Sequence, residues 1–125
     1  NYPLESFEYH KIPLMLCGPA LKEEFRGTKF DKIAGNTDIP ASLMAQLGMD
    51  HSKYYWSKNV FNTHYKPFAF FELDGFGFMR PEGSVVWDSK ASRYYQNNAS
   101  DSLSPLLVNE GKAYLQVLFG DFIKY

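Results

Sequence analysis

The sequence predicts an α/β chain, reduced to α+β if it stands alone: one buried strand and a packing helix, then an antiparallel meander of three to four strands closed by a C-terminal helix. Three observations carry this reading. Ile12–Cys17 is a continuous apolar run ended by Gly18 and Pro19. The stretch from Phe30 to Asp50 contains a helix with both ends marked. From Phe68 onward, short aromatic and β-branched segments alternate with turn residues until Ser104-Pro105 opens a last helical pattern.

Asn1–His10, with Pro3, Glu5, Ser6 and Glu8, has turn and polar character and is expected to be an arriving loop. Ile12–Cys17 follows, and an apolar run bounded by breakers is what a strand buried on both faces looks like. Pro13 near its start is tolerated at a strand beginning or an edge. The charged residues 20–29 form an exposed connection. In the packing helix, Asp38 or Thr37 can cap the first free amides, Pro40 sits in the first turn, and Gly48 can take the left-handed closing position. Ile39, Leu43, Met44 and Leu47 share one apolar face, with Ser42 and Gln46 opposite. His51–Pro67 is polar and aromatic, so it belongs on the surface, with a short helical turn expected over Ser57–Asn62.

Phe68–Leu73 begins a β region, and Gly75–Met79 continues or restarts it with glycines that mark a bulge or a close backbone approach. Arg80-Pro81-Glu82-Gly83 suits a type I turn, Ser84–Asp88 returns as the partner strand, and Ser92–Gln96 supplies a third. Ser104 offers a capping hydroxyl ahead of Pro105, and Leu107, Gly111, Tyr114, Leu115, Leu118 and Phe122 fall on one side of the closing helix.

The chain has 125 residues, one domain's worth, with a net charge of -1 that gives no electrostatic reason to expect nucleic acid. Nine Tyr, eleven Phe and two Trp favour a packed body over disorder. Cys17 is the one cysteine, which excludes an intrachain disulfide and a thiolate metal cluster. No apolar run approaches the roughly 20 residues of a membrane helix.

Candidate chemistry is sparse. His10, His51 and His64 are far apart, and none is spaced with another ligand as metal sites require. His10 precedes the apolar run, at the end of a strand opposite to where ligand sites gather. Asp38 directly precedes an apolar helical face and is accounted for as a cap. Glu72 and Asp74, two apart, could share a strand face as a carboxylate pair, although carboxylates on the polar face of an antiparallel sheet are ordinary. Gly75 and Gly77 lack the third glycine and the helix start of a phosphate loop. Cys17 has no activating neighbour in sequence. Asn98-Ala99-Ser100 fits the glycosylation acceptor pattern only in a secretory context. No catalytic, cofactor-binding or metal-binding residue is assigned in this chain.

One resemblance goes further. Tyr9-His10-Lys11-Ile12-Pro13-Leu14-Met15-Leu16-Cys17-Gly18-Pro19, then Asp31-Lys32-Ile33-Ala34-Gly35-Asn36-Thr37-Asp38-Ile39-Pro40-Ala41-Ser42-Leu43, then Leu47-Gly48-Met49-Asp50, resemble in order the C-terminal part of the sulfatase-like alkaline phosphatase superfamily. The lipoteichoic acid synthase branch, made of phosphoglycerol and phosphoethanolamine transferases, is the most similar, and Lys58-Asn59-Val60-Phe61 also resembles its segment after the helix. The resemblance implies that residues 1–125 form one domain that is the C-terminal fragment of a larger catalytic domain. It implies a bacterial parent enzyme with a Thr, Ser or modified Cys nucleophile and a divalent metal (Mn, Mg, Zn or Ca), none of which maps onto a residue here. The fragment alone would be inactive, its partner would be the remainder of that domain, and a truncated surface could drive homo-oligomerisation. The parent would be held by N-terminal membrane helices, with its catalytic domain on the extracytoplasmic face of the cytoplasmic membrane. The alternative is a self-standing binding module that uses Tyr54, Tyr55 and Trp56 as a stacking platform for a sugar or a protein partner.

Overall fold

The structure, a computed structural model, describes residues 2–124; Asn1, at the head of the expected arriving loop, and Tyr125 lie outside the described residues. The architecture is α+β, and the chain forms two compact units. One comprises the residues up to Lys11 together with those from Phe68 onward; the other, Ile12–Pro67, is inserted between them in sequence.

The first unit is built on an antiparallel sheet of β1 (Ala69–Glu72), β2 (Gly75–Arg80), β3 (Gly83–Asp88) and β4 (Arg93–Asn97), in that spatial order. The meander forms because each strand follows its predecessor through a short turn, and Arg80 pairs with Gly83 across a two-residue loop at Pro81-Glu82. Alternation then decides the faces. Phe76, Phe78 and Val85 point to the side covered by α3 (Ser104–Phe122) and pack with its Leu107 and Val108. Burying each such side chain contributes about 1.5–3 kcal/mol. α3 approaches closely at Gly111, where an added Cβ would lie 2.1 Å from the Phe76 ring.

Gly75 and Gly77 mark close approaches rather than a bulge. A Cβ on Gly75 would meet the carbonyl oxygen of Trp87, and one on Gly77 would enter the ring of Phe71, its cross-strand partner. The sheet's irregularity falls instead on the β3–β4 pairing, where Val86 pairs with Gln96 and Trp87 with Tyr94, leaving Tyr95 of β4 as the extra residue. Phe71 lies on the face away from α3, and there a short helix that the polar opening residues conceal, α1 (Phe7–His10), supplies the cover. Ser6 caps it, Phe7 is buried edge-on to Phe71 at 5.2 Å, and the Phe7 amide donates to Gln96 Oε1 at 3.1 Å. Asp88 organises the β3–β4 turn by accepting from the amides of Lys90 and Ala91. The closing helix begins as expected, but Ser104 is its first residue rather than its cap. The Ser104 hydroxyl turns back to Ser100 O at 2.8 Å.

In the second unit the expected buried strand is absent. Residues 11–17 have no regular structure, and Ile12, Leu14 and Met15 are exposed, Met15 by 86%. Among the described residues no backbone hydrogen bond reaches Ile12–Cys17. A strand needs a neighbour for its donors and acceptors, and among the described residues no strand pairs with that run. The packing helix does form, as α2 (Ile39–Gln46), with Pro40 in its first turn. Gly48 (φ 67°) closes it, with the Met49 amide bonded to Met44 O at 2.9 Å and the Gly48 amide to Ala45 O at 3.4 Å. These two bonds make a Schellman closure.

The face that α2 buries is not the expected one. Ala41, Ser42 and Gln46 point inward, whereas Leu43 and Leu47 are 45% and 48% exposed. Hydrogen bonds explain the inversion: Ser42 Oγ donates to Asp38 O and accepts from Val60 N, and Gln46 Oε1 accepts from Lys22 N. The segment after the helix contains turns and no helical turn over Ser57–Asn62, because Asn59 and Asn62 each draw an amide two residues on into a side-chain-closed turn. Phe61 from this segment joins Phe25 and Phe30 in an aromatic cluster with centroids 4.6–5.8 Å apart.

Candidate functional site

The most concentrated polar chemistry in the chain converges on Asp38, which is 1% exposed. Its side chain does not cap α2. Oδ2 accepts from the Gly35 amide at 3.0 Å, closing the 3-10 turn Asn36–Asp38, and Oδ1 accepts from the Lys58 amide at 2.9 Å. Lys58 Nζ lies 2.9 Å from the same Oδ1, and the Tyr65 hydroxyl is 3.1 Å from Oδ2. That hydroxyl donates to Ile33 O at 2.6 Å. Burial, and then the neighbouring carboxylate, push the Tyr65 phenol well above its ordinary pKa. The free amide of α2 that Asp38 leaves open is taken by a remote residue: Ala41 N donates to Ser57 Oγ at 2.9 Å.

Chemically this is an anchor. A buried carboxylate must be paired and hydrogen-bonded, and both oxygens of Asp38 are engaged by groups of the chain itself. Neither oxygen is presented to a substrate. The cluster ties the turn before α2 to the segment 57–65 and thereby holds the helix in place.

The other residues considered from sequence do not converge. His10 stacks on Phe71 with centroids 3.7 Å apart, and its Nε2 lies 2.8 Å from Leu4 O, a packing role within the sheet unit. His64 is exposed and His51 half-buried. Glu72 ends β1, and Asp74, in the following turn, pairs with Lys90 Nζ at 2.8 Å. Cys17 is exposed rather than buried, because the strand expected to enclose it does not form. Asn98 lies exposed in the loop after β4. Tyr55 of the aromatic run is exposed by 87%, with Tyr54 less so and Trp56 half-buried. Among the described residues no group of three or more His, Cys, Asp or Glu could hold a metal ion, and no helix is long and apolar enough to cross a membrane.

A second feature was not legible from local pattern. Ile12, Leu14 and Leu16 line a mixed, mainly apolar cavity of about 560 Å³ together with Phe25, Phe30 and Phe61, with Lys29 and Lys32 also on its wall. Its wall is the run that reads as a strand. Comparison of the chain with known proteins finds no matching family model, no matching curated protein and no matching solved structure.

Proposed function

We propose that the chain is the C-terminal portion of a metal-dependent phosphoglycerol or phosphoethanolamine transferase, or of a sulfatase-like hydrolase, and that it serves that catalytic domain structurally. One observation supports this reading beyond the sequence resemblance: in the strand-like apolar run Ile12–Leu16, residues 12–15 stand exposed, and among the described residues no backbone hydrogen bond reaches the run. Such a run is a ready template for a sheet. As a strand it would send the amides of Ile12, Leu14 and Leu16 to one edge and those of Met15 and Cys17 to the other, where Pro13 has no N–H to offer. The complete row is therefore the one a neighbouring strand of the parent would use.

In this reading the parent's nucleophile and its divalent metal (Mn, Mg, Zn or Ca) belong to residues outside this chain. Such a metal, held by residues outside this chain, would polarise the transferred group and lower the nucleophile's pKa. This chain contributes the strand, α2 and the sheet unit that walls the cleft. The parent is anchored by N-terminal helices and works on the extracytoplasmic face of the membrane, with no nucleic acid as partner. Without the remainder of the domain, the open strand row is available to a second copy, so the isolated chain self-associates.

The test is the coding sequence upstream of Asn1, followed by assay of the full gene product with and without divalent metal. A nucleophile and an Asp-His pair upstream, metal-dependent turnover by the parent, and loss of that turnover in parent Leu14→Asp together support the proposal. A gene that begins at or near Asn1 overturns it, and Tyr54, Tyr55 and Trp56 then become the place to search for a sugar or protein ligand.

A further inference from the structure

We draw no further inference here: the strongest candidate, the mainly apolar cavity walled by Ile12, Leu14, Phe25, Phe30 and Phe61, belongs to the face already described, and nothing in the structure shows what else would cover it.

Discussion

Replacing Asp38 by Asn keeps the shape of the side chain and removes its charge, so it isolates the electrostatic part of the anchor. One amide oxygen can still accept from Lys58 N, but the new NH2 then faces the Gly35 amide, donor against donor, at a distance that now holds a hydrogen bond of 3.0 Å. Flipping the amide moves the same clash to the Lys58 amide and ammonium. Breaking one partner of a buried ion pair costs about 3–5 kcal/mol. The Lys58 side chain keeps 27% of its exposure and can turn to water, which places the expected loss near the lower end, about 3 kcal/mol. With a urea m-value of about 1–3 kcal/mol/M, the midpoint falls by roughly 1–3 M. Trp56 lies in the same unit as Asp38, so urea titrations of Trp87→Phe and of Trp87→Phe with Asp38→Asn, followed by Trp56 fluorescence, place the probe in the unit that holds the anchor. A loss under about 0.5 kcal/mol, the range of ordinary surface substitutions, would mean that the carboxylate is not the anchor described.

Three further predictions concern other sites. Gly111→Ala drives a Cβ into the buried Phe76 ring, and the overpacking cost of about 1–3 kcal/mol outweighs the gain of up to about 1 kcal/mol in helix propensity. A double-mutant cycle with Phe76→Leu should recover most of the loss, and independent effects would refute the contact. Gly48→Ala meets no neighbouring atom but forces alanine into a left-handed conformation, costing about 1 kcal/mol; Gly48→Asn should cost less, and thermal unfolding reads both. Asp88 is held below its ordinary carboxyl range chiefly by the Ala91 amide, with help from Lys90 N, Tyr95 and Arg93. A lowered native pKa means that its stabilisation is present above the unfolded value of 3.8 and is lost as pH falls through the native one. The stability gap between wild type and Asp88→Asn should therefore be constant from neutral pH down to about 5 and close in more acidic solution. A gap that persists unchanged at pH 2 would refute that role.

What could be read from the sequence was what neighbours in sequence decide. The meander was legible because its pairings join consecutive segments, and Pro81 with Gly83 marks its tightest turn. The bounds of α2 were legible for the same reason: Pro40 and Gly48 act on the backbone within one turn. The role of Asp38 was not. Its partners Lys58 and Tyr65 lie 20 and 27 residues away, and a carboxylate before a helix is indistinguishable from a cap until those partners arrive. Ser57 taking over the capping duty is hidden by the same distance. α1 escaped because four residues show no periodicity, although Ser6 three positions before Tyr9 is a local capping signal. Ile12–Cys17 failed differently. Its apolar pattern predicts a strand and none forms, because a strand also needs a neighbour that the pattern does not contain.

The inverted orientation of α2 and the unpaired run at Ile12 have one physical explanation. A helix that buried Ser42 and Gln46 merely for want of better options would leave their polar atoms unmet, at a cost of about 1–3 kcal/mol each. Both are met: each holds a backbone group from a distant segment, so the inward face is specified by the sequence. Leu43 and Leu47 on the outward face are then not failed core residues. Each forgoes up to about 1.5–3 kcal/mol while it stays in water. Ile12–Leu16, in the same unit, lines the cavity with Phe25, Phe30 and Phe61, yet among the described residues no backbone hydrogen bond reaches it. In α2 the polar partners from distant segments decide the buried face, and at Ile12–Leu16 the lack of a paired neighbour among the described residues leaves the run without regular structure, so local pattern alone decides neither element.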